Sequence, residues 1–140
     1  MTPVEVARAF LDAVLWGEHS KVWELLDDTA RRTVLQVATR GGLGAVPAAR
    51  MREGTASSAE RDRFLTALVH GLRRDLAGTD LDTIVLTLLE PPSAGTAVVL
   101  LELPVAEALG GPVPAGSIEL SEDGDAGWRI TRLVPTTRAR

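Results

Sequence analysis

The chain has 140 residues, 45% of them hydrophobic and 24% charged, with a net charge of -4 and no cysteine. That length suits one domain spanning 1–140 and burying roughly two thirds of its unfolded surface, and the composition excludes disordered, fibrous and disulfide-stapled classes. A negative balance argues against nucleic acid or an anionic membrane as partner, since both need a concentrated positive face, and thiol chemistry is excluded outright.

The first ten residues lack a basic segment followed by an apolar run, so no secretory signal is expected. The longest apolar stretch is broken by Glu102 and Pro104, well short of the about 20 residues of a membrane span. A cytoplasmic location is the expectation.

Thr2 and Glu5 form a capping box with Pro3 at the first helical position, and Val6, Ala7, Phe10, Leu11 and Val14 recur at helical spacing up to Gly17. Ser20 is expected to cap a short second helix carrying Val22, Trp23, Leu25 and Leu26. Asp27 or Asp28 would cap a third, with Ala30, Val34, Leu35 and Ala38 inward, that stops at Gly41-Gly42. From Gly41 to Ala56 the pattern dissolves into Gly, Ala, Pro and Arg, which reads as a surface loop or lid. Ser57 and Glu60 form a second capping box, opening an amphipathic helix with Phe64, Leu65, Leu68, Val69, Leu72 and Leu76 and ending at Gly78. Its other face, with Arg61, Arg63, Arg73 and Arg74, reads as solvated.

Beyond Gly78 the period becomes extended. Thr83 to Leu89 and Thr96 to Leu103 read as a hairpin of strands stopped by Pro91-Pro92 and Pro104. Val105 to Leu109 allows one helical turn before a loop over Gly110 to Pro114. Ser117 to Ser121 alternates, the turn Glu122 to Ala126 contains Asp123-Gly124, and Gly127 to Pro135 places Trp128 and Ile130 on one face against Arg129 and Thr131. Helices first and antiparallel strands afterwards predict an α+β fold, with helices on one face of a curved sheet of about four strands.

The first two strands carry more apolar residues than one face can use. Ile84, Leu86 and Leu88 oppose Val85 and Leu89, and Val98 and Leu100 oppose Val99, Leu101 and Leu103. Leaving one set wet is unfavourable by roughly 25 cal/mol per Å². A second copy of the chain would cover it as a homodimer through the apolar sheet face; the Gly41 to Ala56 loop or the C-terminal tail is the alternative.

An amphipathic first helix with Phe10 and Leu11, a short helix bearing Trp23 soon after Gly17, and a last strand with Gly127, Trp128, Ile130 and Leu133 are similar to the nuclear transport factor 2-like superfamily. Ketosteroid isomerase, scytalone dehydratase and the polyketide cyclases belong to that group. The resemblance covers nearly the whole chain in element order, while the helix after Ser57 and the loop before it are longer than the usual insertion. It implies a cystatin-like cone between helices and sheet that commonly holds a small apolar ligand. Phe10, Trp23, Leu100, Ile118, Trp128 and Ile130 would line it.

The enzymes among those relatives add an acid or base to the cone. An isomerase site of the ketosteroid kind needs a Tyr in its oxyanion hole, and the chain has none. The candidate bases are Glu102, which shares a strand face with Val98 and Leu100, and His70, at the boundary of the apolar stripe that holds Leu68 and Leu72. His19 reads as a turn residue, and Asp80 and Asp82 as caps. Gly41 to Gly44 lacks the Lys-Ser/Thr of a phosphate loop, and the acidic turn around Gly124 lacks calcium-loop spacing. Two His without Cys rule out most zinc sites, and neither metal nor cofactor is expected.

Two readings remain. The favoured one is a non-catalytic homodimeric domain that binds a small apolar ligand or a protein partner. The alternative is a small isomerase, dehydratase or cyclase with Glu102 or His70 as general base.

Overall fold

The computed structural model describes residues 1–76, 81, 83–103, 113–124 and 127–135. Helix α1 (Pro3–Trp16) is held at its start by the reciprocal capping box, in which the Glu5 amide donates to Thr2 Oγ1 at 3.2 Å and the Thr2 amide donates to Glu5 Oε1 at 3.2 Å. It stops where Gly17 adopts φ 69°, a left-handed conformation that costs glycine little. Helix α2 (His19–Leu25) follows at once with Glu18 at its N-cap, so Ser20 lies inside the helix and does not cap it. The reversal at Gly17, with the Glu18 amide bonded to Ala13 O at 2.9 Å, restarts the helix earlier than a serine signal suggests.

Helix α3 (Asp28–Arg40) is capped by Asp27, whose side chain accepts from the Ala30 amide at 2.8 Å. The loop expected between Gly41 and Ala56 is instead largely helical: α4 (Ala45–Glu53) runs from Gly44 to a left-handed Gly54. Its alanines favour helix and Pro47 sits in its first turn, where a missing N–H is tolerated. No stripe marked it in advance because Met51 is its one buried residue. Helix α5 (Ser58–Asp75) has the expected capping box and buries Phe64, Leu65 and Val69.

Strands β1 (Val85–Leu88), β2 (Thr96–Leu103), β3 (Val113–Asp123) and β4 (Gly127–Pro135) form one antiparallel sheet in chain order. β2 and β4 have the expected spans. β1 is shorter than Thr83 to Leu89, and β3 begins at Val113, inside the stretch expected to be a loop, because its early residues pair with Leu103 and Glu102 at the far end of β2. The helical turn over Val105 to Leu109, the stop at Gly78 and the caps Asp80 and Asp82 fall outside the described residues.

Five helices packed against a curved, unclosed four-stranded sheet make this an α+β fold. One face of the sheet carries Leu86, Leu88, Val99, Leu101, Ile118 and Leu120, which join Phe10, Leu11, Val14, Leu65 and Val69 in a shared core. Ile130 is fully buried there and Trp128 packs partly buried beside it. Each fully buried aliphatic of this set stabilises the fold by roughly 1.5–3 kcal/mol.

Two irregularities bend the sheet, one where Leu101 pairs with Gly116 while Glu102 pairs with Pro114, the other where Glu119 pairs with Arg132 while Leu120 pairs with Ile130. The second leaves Thr131 without a partner on β3, as in a β-bulge. Thr131 instead meets the start of α3, where the Asp27 amide donates to Ile130 O at 2.8 Å.

Candidate functional site

Of the six residues expected to line a cone, the fold brings five together. Phe10, Ile118 and Ile130 are each closed off from solvent, Trp23 is buried edge-on to Phe64 with ring centroids 5.5 Å apart, and Trp128 packs partly buried against the same core. Leu100 stands apart: it pairs with Thr87 and Ser117 on the other face of the sheet, together with Val98, Glu102 and Val134. Between helices and sheet the space is filled by the chain's own Leu, Ile, Val and Phe side chains. Phe10, Leu11, Val14, Leu65, Val69, Val99, Leu101, Ile118, Leu120 and Ile130, at the centre of that core, line none of the four cavities described among these residues.

The two candidate bases do not converge. Glu102 is half-buried on the outer sheet face, between Val85 on β1 and Pro114 on β3, and makes no ion pair among the described residues. His70 is exposed on α5 and borders none of the described cavities. Neither side chain meets the geometric requirement of a general base, a second polar group in reach inside an enclosed site. Among the described residues no three His, Asp or Glu side chains group closely enough for a metal ion, and no helix is long and apolar enough to cross a membrane.

Space for a ligand lies within the helical layer instead. A groove of about 350 Å³ runs between α3 and α5, walled by Val34, Val37 and Ala38 on one side and by Phe64, Ala67, Leu68, Gly71 and Leu72 on the other. Arg74 and Asp75 are its polar residues. Val37 is 59% exposed in it.

Gly71 is the informative residue of this groove. A glycine this far inside a helix destabilises it by roughly 0.5–1 kcal/mol relative to alanine. No contact compensates for that, because a Cβ built at Gly71 would meet only Arg74 Nη2, at 3.9 Å, and the backbone there is not left-handed. What the absent side chain leaves is room in the groove. The sequence pattern had placed Leu68 and Leu72 on the buried stripe, and only their half-exposure in the fold separates them from core positions such as Leu65 and Val69.

A second, polar cleft of about 620 Å³ opens among α3, α4 and α5. Arg31, Arg32, Arg52 and Arg61 face it beside Asp28 and Glu53, with Trp23, Leu35 and Met51 beneath. The T-shaped pair of Trp23, which lines this cleft, and Phe64, which lines the groove, has its rings 89° apart.

Asp27 is the one buried charged residue among the described residues. Besides capping α3 it accepts on Oδ2 from Ser121 Oγ at 2.7 Å and from Thr131 Oγ1, so all its bonds are structural. No family model matches the chain, and neither a curated protein nor a solved structure matches it.

Proposed function

We propose that the chain is a non-catalytic binding domain of the nuclear transport factor 2-like kind that holds a small apolar ligand in the groove between α3 and α5. The observation that carries this reading is Gly71, a helix-weakening residue whose only structural consequence is an open apolar wall. A volume of about 350 Å³ lies at the small end of ligand sites, which are typically about 300–1,000 Å³ and mostly apolar. The order of elements and the inward packing of Trp128 and Ile130 support the superfamily assignment.

In this reading the domain is a cytoplasmic homodimer. Val85, Val98, Leu100 and Val134 share the sheet face opposite the helices, and Val85 is 46% exposed there. Pairing two such faces would withdraw this apolar area from water in a two-fold arrangement.

An uncharged fluorescent probe, N-phenyl-1-naphthylamine, tests the groove. Gly71→Leu fills it from a helix position with no steric objection, so the variant is expected to fold at least as stably as the parent while losing probe fluorescence. Equal probe binding by both proteins would remove the groove from consideration.

A further inference from the structure

We infer that the cleft among α3, α4 and α5 is a binding site for a small phosphomonoester, separate from the apolar groove. Three elements contribute guanidinium groups to it, Arg31 and Arg32 from α3, Arg52 from α4 and Arg61 from α5. Helix faces that are merely solvated point their charges apart. Here they surround one concavity.

The deepest of these groups is fixed in place. Arg31 Nε and Nη2 donate to Trp23 O at 3.2 and 3.0 Å, and its guanidinium carbon lies 5.1 Å from the Trp23 ring centroid. An arginine held in this way gives up little rotamer freedom when it binds an anion, and while its Nε–Nη2 edge is engaged by Trp23 O, its Nη1 side remains to donate. Burial, and after it the like charge of Arg129, hold its pKa below the ordinary value, with Arg61 acting in the same direction. Asp28 and Glu24 act in the opposite direction.

Charge counting selects the ligand class. Four arginines face two carboxylates, Asp28 and Glu53, so the cleft carries an excess of two positive charges. None of the four makes an ion pair among the described residues. Arg50, by contrast, is engaged by Glu60 at 2.9 Å and lies outside the lining. A phosphate ester close to its dianionic form matches that excess, and its three terminal oxygens can each accept from a guanidinium. Trp23, Leu35 and Met51 give the rest of the molecule an apolar bed, which inorganic phosphate would not use.

Isothermal titration with phenyl phosphate, at ionic strength held constant with sodium chloride, is the test. The expected result is one saturable site per chain, with inorganic phosphate weaker by about tenfold because it leaves the apolar bed uncovered. Arg52→Gln and Arg61→Gln, both at the rim and without structural bonds, are each expected to weaken binding by about tenfold through loss of a charge-assisted bond. Arg63→Gln, on the same helix but outside the cleft, should bind like the parent. Absence of a saturable site, equal affinity for inorganic phosphate, or equal losses in all three variants would overturn the inference. Because Gly71 does not line this cleft, phenyl phosphate binding by Gly71→Leu reports on the cleft whatever becomes of the groove.

Discussion

Asp27 shows how much one side chain can join in this fold. Its Oδ1 accepts the Ala30 amide of α3, while Oδ2 accepts hydroxyl protons from Ser121 and Thr131, which lie 94 and 104 positions away in the chain. The capping role was legible in the sequence, because an Asp before a helical stripe has a local mechanism. The two hydroxyl bonds were not, since they depend on a bulge that turns Thr131 away from β3, and no local pattern announces a bulge. Asp27→Ala removes the cap and strands two half-buried hydroxyls. It is expected to lower stability by about 2–4 kcal/mol in urea unfolding, and a loss below about 1 kcal/mol would mean that the three bonds do not act together. Gly71 is the opposite case: the stripe of its helix is read from Phe64, Leu65, Leu68, Val69, Leu72 and Leu76 without it, and its meaning needs the neighbouring helix.

Among the elements, α1 and α5 were legible because each begins with a capping box and carries a stripe of large apolar residues. Their mutual contact was not. The Arg73 side chain donates from Nε to Val14 O and from Nη2 to Leu15 O, both at 3.0 Å, so α5 supplies the positive charge that the last turn of α1 lacks. An arginine read as solvated thus caps a helix 58 residues earlier. Helix α4 escaped for a different reason. With only Met51 buried it has no periodicity to read, and its two flanking glycines look like a loop.

The capping box of α5 also makes the fold sensitive to acid. Glu60 is held below its ordinary value of 4.5, first by its bond from the Ser57 amide and then by Arg50. Glu5 is lowered in the same way by Thr2. A carboxylate whose folded pKa is lowered contributes stability that is complete above the unfolded value and is lost as pH falls through the folded one. Thermal unfolding temperatures should therefore decline as pH falls below 4.5. Gln keeps the reciprocal bonds without titrating, so Glu60→Gln should flatten the part of that decline due to α5. An identical pH profile in parent and variant would show that this box does not set the acid response.

For the molecule as a whole, the α+β class followed from the change of period after Gly78, and the strand residues could be sorted into two opposed sets by parity, while the pairing of β2 with β3 that joins the two hairpins came from the structure. What parity could not supply was the place where space remains. The expected cone residues Phe10, Ile118 and Ile130 are large and well spaced, and in the fold they fill the interior with one another's side chains. The open volume moved outward, to the seam between α3 and α5 and to the basic cleft beside it. Both depend on relations between helices, which residue spacing within one helix does not encode.

Native mass spectrometry of the protein purified without added ligand, parent and Gly71→Leu side by side, tests the binding reading most directly. The expected spectra show two chains per particle in both, with a retained small molecule in the parent and none in the variant. A single chain without adduct in the parent, or the same adduct in both proteins, would contradict it.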